Sequence, residues 1–231
     1  MKPRFRSLRE RWHRMTGSCR VTLDGIRIHT AGDSIPPEIT RLLWRGDYEF
    51  AERKLLLQVA RPGDRVLEVG AGIGVLGLVA ARICGPDNVL SYEPNPTTLP
   101  LIKANHALNA LYPGIRSKAI TAGGGPITFF RTGNIISSSL IERDASEAIT
   151  VESDRLDDTI AEFAPTILLM DAEGAEVELL PLADLASIRA IVVETHAKIT
   201  GAASVARLRT HITEKGFRIV ADVNNNMLCL R

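Results

Sequence analysis

From Arg65 to the end of the chain, apolar runs of four to six residues alternate with stretches of helical periodicity, which leaves few folds open. The runs are Val66–Val69, Val89–Tyr92, Ile115–Ile120, Ile167–Met170, Ile188–Val193, Phe217–Ala221 and Met227–Leu230. Helical patterns fall near 73–83, 97–110, 155–163, 174–180 and 203–215. Strands alternating with helices imply βαβ units and a parallel sheet with right-handed crossovers. Most of the runs are predominantly apolar, as expected when helices cover both faces. The last two break the rhythm, because only Asp222 to Asn226 separates them. A parallel crossover needs a dozen or more residues, so these two must pair as an antiparallel hairpin. Asn224-Asn225-Asn226 supplies residues that tolerate the left-handed region. The expected fold class is therefore α/β, a doubly wound, seven-stranded, mostly parallel sheet with an antiparallel last strand.

Composition excludes several other classes. At 231 residues and 45% hydrophobic, the chain suits one globular domain with additions. The longest apolar region, Val66 to Ile83, contains Glu68 and four glycines, which rules it out as a membrane span. Cys19, Cys84 and Cys229 lie far apart without a CxxC, so neither a disulfide framework nor a thiolate zinc site is indicated. That pattern suits a reducing compartment, and a cytoplasmic location is expected. Of 28 basic and 27 acidic side chains, residues 1–20 hold seven basic ones against Glu10 alone. The rest of the chain is thus net negative, a poor general binder of nucleic acid, and no nucleic-acid partner is expected.

Three segments follow from this reading: an arm over 1–18, a hairpin and helical cap over 19–64, and the main domain over 65–231. In the arm, Phe5, Leu8, Trp12 and Met15 share one helical face and arginines fill the rest. The expected role is docking of those four apolar residues on the domain. Peripheral contact with an anionic membrane and a transit role are the alternatives. Val21 to Ile28 alternates around Asp24-Gly25, a hairpin signal with a type I′ turn. Pro36-Pro37-Glu38 opens a helix through Trp44, Gly46-Asp47-Tyr48-Glu49 interrupts it, and a second helix runs to about Ala60. Between Gly123 and Glu152 the rhythm is lost. This segment, with Ile127–Phe130 as a short strand, reads as a mobile insertion that shapes a substrate pocket.

Glu68-Val69-Gly70-Ala71-Gly72-Ile73-Gly74 closes the first strand and opens a helix. Its glycines let the backbone approach a ligand closely, and the helix start presents unpaired N–H groups. Glu93 ends the next strand, 21 residues beyond Gly72, where a carboxylate can accept both hydroxyls of a ribose. Gly72-Ile73-Gly74-Val75-Leu76-Gly77 also fits the dinucleotide pattern, so a nicotinamide cofactor competes with S-adenosylmethionine (SAM). Glu68 favours SAM, since its charge would repel a pyrophosphate and attract a sulfonium.

The stretches Val66-Leu-Glu-Val-Gly-Ala-Gly-Ile-Gly74, Tyr92-Glu-Pro-Asn-Pro96, Asn105 with Asn109, Leu156-Asp-Asp158 and Asp171-Ala-Glu-Gly-Ala-Glu176 resemble an FkbM-type SAM-dependent methyltransferase. The resemblance runs from about Gly46 to the C-terminus and is weakest between Gly123 and Glu152. It implies strand order 3-2-1-4-5-7-6, SAM as methyl donor, and O-methylation of a saccharide or small secondary metabolite. It also implies cofactor contacts from Glu68, Gly70, Ala71, Gly72, Gly74, Glu93, Pro94, Asn95, Ile120 and Asp171. Ala119 and Ile120 would wall the adenine. Two departures are Glu68 where Asp is common, and Leu169 where many members carry a Lys two residues before the Asp.

Ligands in open α/β sheets bind outside the carboxyl ends of the strands, so candidate bases belong there. Asp171 is expected near the methionine moiety or acceptor, and Glu173 as the general base. Capping of the next helix is their alternative role. His196, after the fifth strand, has a suitable intrinsic pKa but more often such a residue bonds locally. Gly46-Asp47-Tyr48-Glu49 reads equally as a flap over the cofactor or as a helix break. Asp171, Glu173 and His196 could mimic a metal triad, yet no local ligand spacing occurs, so no metal is expected. An NAD(P)-dependent oxidoreductase and a non-catalytic nucleotide-binding module are the competing functions.

Overall fold

A computed structural model describes residues 3–32, 35–131 and 147–231. Its centre is a seven-stranded sheet of β3 (Val66–Val69), β4 (Val89–Tyr92), β5 (Gly114–Arg116), β9 (Ile167–Met170), β10 (Ala190–Glu194), β11 (Arg218–Val223) and β12 (Asn226–Leu230). The spatial order is β5-β4-β3-β9-β10-β12-β11, which in order of appearance is 3-2-1-4-5-7-6. Only β12 runs antiparallel to its neighbours. Its hairpin turns through Asn224 and Asn225, both at positive φ (51° and 65°). The same device closes the N-terminal hairpin, β1 (Arg20–Leu23) with β2 (Ile26–His29), where Asp24 and Gly25 have φ of 45° and 88°.

Two apolar layers sandwich the sheet. On one face, α4 (Val75–Cys84) and α3 (Phe50–Val59) pack with the hairpin's Val21, Leu23, Ile26 and Ile28 and with Ile39 and Leu43 of α2 (Pro37–Arg45). The cap thus shares a core with the sheet, and each fully buried aliphatic chain there contributes roughly 1.5–3 kcal/mol. Gly46 ends α2 in the left-handed conformation and donates to Leu43 O, which turns the chain toward the sheet's carboxyl end. On the other face lie α6 (Leu156–Phe163), α7 (Glu176–Leu182) and α8 (Ala202–Glu214), contributing Leu156, Ile160, Leu179, Leu208 and Ile212.

Two expectations need correcting. The apolar run Ile115–Ile120 is not one strand. β5 stays in the main sheet, while β6 (Ala119–Thr121) leaves it to pair with β8 (Glu147–Arg155), which also pairs with β7 (Gly125–Arg131). Arg116 and Lys118 both reach Asp154 on β8, and these ion pairs carry the chain from one sheet to the other. The insertion is therefore largely a β-ribbon, longer than the strand expected at Ile127–Phe130; the expected mobility at 132–146 lies outside the described residues.

The second correction concerns the arm. α1 (Pro3–Thr16) docks against α2 by its polar face. Glu10 and His13 are buried, and Glu10 accepts from Arg14 (3.0 Å) and Arg45 (2.6 Å). Leu8, Trp12 and Met15 are 58%, 59% and 84% exposed. Ion pairing to α2 decides the rotation of the helix against its own apolar stripe. Phe5's side chain lies outside the described residues.

Candidate active site

The strand carboxyl ends converge on the glycine loop. Gly70 N and Ala71 N both donate to Tyr92 O, and Gly72 N donates to Glu93 Oε2 at 2.8 Å. These bonds pin the loop across the ends of β3 and β4. Gly70 (φ 92°) passes so close to β9 that a Cβ there would overlap the carbonyl of Asp171. Gly72 (φ 55°) passes under the turn after α2, where a Cβ would lie 2.8 Å from Tyr48 Oη.

Around this loop lies a cavity, partly open to solvent. Of the expected contacts, Gly70, Gly72, Glu93, Pro94, Ile120 and Asp171 line it, as do Ala119 and Glu173. The others stand behind it. Asn95 is buried and accepts from Thr97 N and Oγ1, bracing the approach to α5 (Leu99–Asn109). Ala71 is buried, and a Cβ on Gly74 would meet Ile102. Glu68 departs most from expectation. It is 1% exposed and accepts from Gly77 N (3.1 Å) and Ser91 Oγ, so its carboxylate faces the interior between β4 and α4. Strand parity turns it away from the cavity, and any influence it has on a ligand acts through space.

The sequence reading missed several wall residues. Phe129 on β7 closes one side, and Lys118 stands at the rim with Nζ on Asp154 Oδ1 at 2.7 Å. Nothing local marks Phe129, because it reaches the site only through the pairing of β7 with β8. Tyr48 and Glu49, left open as flap or helix break, form a partition. Glu49 and Glu173, both against the cavity, are non-glycine residues at positive φ (48° and 49°), a strained conformation common at functional sites.

Beyond the partition lies a second cavity, walled by Asp47, Tyr48, Glu49, Phe50, Glu52, Asp171, Glu194, Asn224 and Asn226. Tyr48, Glu49 and Asp171 face both cavities. Behind Asp171 stands His196, with Nε2 3.5 Å from Asp171 Oδ1 and 3.8 Å from Glu173 Oε2. The fully buried Glu176 holds the imidazole from behind. Its Oε1 accepts from His196 N at 2.9 Å and lies 3.2 Å from Nδ1, while Oε2 accepts from Gly174 N. One ligand atom each of Asp171, Glu173 and His196 lies within 4.8 Å of the others, a grouping able to hold a metal ion. These are the three residues set aside above for want of local ligand spacing; the ends of β9 and β10, neighbours in the sheet, bring them together.

Electrostatically the site favours a cation. Burial pushes Glu68, Glu93 and Asp171 up to about 7 and Glu194 up to about 8, and raises Glu49 well above the carboxylate range. Glu49 Oε2 and Asp171 Oδ1 are buried without a hydrogen-bond partner. Burial draws His196 down, but the Glu176 bond and the charges of Asp171, Glu176 and Glu173 outweigh it and push the imidazole up to about 9. Such groups favour the folded state most when protonated, so their stabilisation is lost as pH rises through these values. The Tm of the ligand-free protein should therefore fall from pH 5 to pH 8, and a cationic ligand should stabilise it increasingly over that window. Calorimetric scans with and without SAM check this; a ligand-free Tm that rises across the window contradicts it.

Residues 68–219 match the FkbM methyltransferase domain, well over half of the chain. The chain belongs to the FkbM methyltransferase family. It is a SAM-dependent methyltransferase with the class I, Rossmann-like fold. The nicotinamide reading is displaced. The methyltransferase is 25% identical to "Methyltransferase sdnD" of Sordaria araneosa over 196 residues, 68% of this chain and 74% of that protein. Among solved structures it is similar to TYW2 of P. horikoshii in complex with MeSAdo (14% identity, TM-score 0.49, 100% of this chain and 84% of that one). A Methanococcus jannaschii fibrillarin, a pre-rRNA processing protein, is also similar (12% identity, TM-score 0.44, 73% and 66%). Among the described residues, no helix of the methyltransferase is long and apolar enough to cross a membrane.

Proposed function

We propose that this methyltransferase transfers the methyl group of SAM to a hydroxyl of a saccharide or small secondary metabolite. The observation that carries the reading is the position of Asp171, on the partition between two cavities. The glycine-floored cavity would hold SAM. Glu93 takes the ribose hydroxyls, Ala119, Ile120 and Phe129 wall the adenine, and the surrounding carboxylates offset the positive charge. The buried Glu49 Oε2, without a hydrogen-bond partner, and the Asp171 carboxylate fit a cationic ligand and fit a diphosphate poorly. Bound there, SAM supplies a methyl group on a cationic sulfonium, which a nucleophile displaces in line.

The second cavity takes the acceptor. Carboxylates and the amides of Asn224 and Asn226 suit a polyhydroxylated molecule, and Phe50 offers a flat apolar wall. A hydroxyl acceptor needs a proton acceptor, and Asp171 is the group we assign, in place of Glu173, because it faces both compartments. Its raised pKa, about 7, matches that task near neutral pH. His196, oriented by Glu176, steadies the charged Asp171 from behind. Removing divalent ions with a chelator should leave turnover unchanged; loss of turnover restored by a metal would reassign Asp171, Glu173 and His196 as ligands.

Glu93→Ala should weaken SAM binding by about 1–3 kcal/mol, the cost of unpaired ribose hydroxyls, and Glu93→Gln by less. Titration calorimetry measures both, and unchanged affinity would place the ribose elsewhere. The acceptor class is tested by transfer of tritiated methyl from SAM into fractionated extract of the source cells. Label in a saccharide or small metabolite is the expected result; label in protein or RNA overturns the reading.

A further inference from the structure

An amphipathic helix on a soluble domain normally buries its apolar stripe. α1 does the reverse. Its inner face is polar: Glu10 is bonded to Arg14 and Arg45, Arg9 Nη2 donates to Thr22 O at 2.9 Å, and the His13 ring stacks on Trp44. Its outer face presents Leu8, Trp12 and Met15, recurring at spacings of three and four. Among the described residues, no other helix or strand exposes three large apolar side chains. Arg11 is exposed beside this stripe, and 67% of the Arg14 side chain is exposed. Glu10, the single acid of the first 20 residues, is held in its charged form by Arg45, so the arm offers cations and apolar groups outward.

We propose that α1 is an interfacial helix that seats the enzyme on an anionic lipid surface, with Leu8, Trp12 and Met15 in the headgroup–acyl boundary and Arg11 and Arg14 on the lipid phosphates. Charge complementarity selects this occupant. Residues 1–20 carry seven basic groups and one acid, while the rest of the chain carries 21 basic and 26 acidic groups. A negative surface therefore attracts one end of the molecule and repels the remainder, which orients it. Nucleic acid would use the arginines and leave Leu8 and Met15 in water. A second copy of the chain, meeting stripe to stripe about a two-fold axis, would bring like arginine flanks together. Tryptophan is at home where one side is apolar and the other wet.

Vesicle flotation of the full chain is the test, using phosphatidylcholine alone and phosphatidylcholine mixed with phosphatidylglycerol. The wild-type protein should float with the mixed vesicles at least tenfold more than with the neutral ones. The triple variant Leu8→Ser, Trp12→Ser, Met15→Ser should lose that flotation, and Arg11→Glu should reduce it several-fold. Both variants alter exposed residues, so their Tm and SAM affinity should match wild type. The proposal is overturned if wild type and the triple variant float equally. It is also overturned if wild type ignores anionic vesicles while the serine variant converts a dimer to a monomer by light scattering, which makes a second copy the occupant. Binding of polyuridylate that the serine variant retains, without flotation, would make the arm a nucleic-acid contact instead.

Discussion

Gly70→Ala should abolish SAM binding and lower the stability of the fold more than other single substitutions in the glycine loop. The added Cβ would overlap the backbone carbonyl of Asp171, with the carbonyl carbon 3.1 Å away, and φ at this position is 92°. The conformation alone costs an alanine about 1–2 kcal/mol. The overlap cannot be relieved by rotating a side chain, because it is with backbone held between β3 and β10. Asp171 N donates to Val69 O at 2.9 Å, so a shift of that carbonyl displaces Asp171 from both cavities. Total destabilisation of about 3–5 kcal/mol is expected, at the upper end for one residue. Gly123→Ala is the control, since nothing lies within 4 Å of a Cβ there. Thermal melts and calorimetric SAM titrations of the pair decide it. A Gly70→Ala protein that melts and binds SAM like Gly123→Ala would mean that β3 and β9 do not approach as described.

Asp171→Asn should cut turnover by about 10²–10⁴-fold, the range for a lost general base, with a much smaller effect on SAM affinity. The pH dependence carries the sign. The base acts deprotonated, so wild-type kcat/KM should rise with pH up to about 7 and level off above. A bound sulfonium favours the carboxylate, so the corresponding limb in kcat should lie at lower pH. His196→Asn tests the residue behind it. The imidazolium lowers the Asp171 pKa, so its loss should move the limb to higher pH. A purely structural role for His196 would reduce activity at all pH values without moving that limb. Full activity of Asp171→Asn, or collapse of Glu173→Gln with Asp171→Asn unaffected, would return the base to Glu173.

Much of this architecture was legible one residue at a time. Strand and helix periods are local signals, and turns such as Asp24-Gly25 and Asn224-Asn225 name their own backbone conformation. The five residues from Asp222 to Asn226 were enough to require the antiparallel last pairing. Glu93 could be placed at the glycine loop because one strand and one turn separate them. Strand parity was harder to use. Glu68 lies in a strand buried along its whole length, and alternation alone does not say which face meets the ligand. The run Ile115–Ile120 misled for another reason, since Arg116, Ser117 and Lys118 interrupt it and the chain changes sheets between Arg116 and Ala119.

By itself the chain determined most of its elements, the seven strands of the main sheet, the close-approach glycines and the excess of acid near the strand ends, because each depends on neighbours within a few residues. The tertiary structure decided which acids meet. It brought Asp171, Glu173 and His196 together from β9 and β10, set Tyr48 and Glu49 as the wall between two cavities, and turned α1 stripe-outward. Proximity between residues far apart in sequence depends on strand order and loop paths. The facing of a helix depends on which of its sides finds the better partner, and for α1 ion pairs to Arg45 outweighed apolar burial.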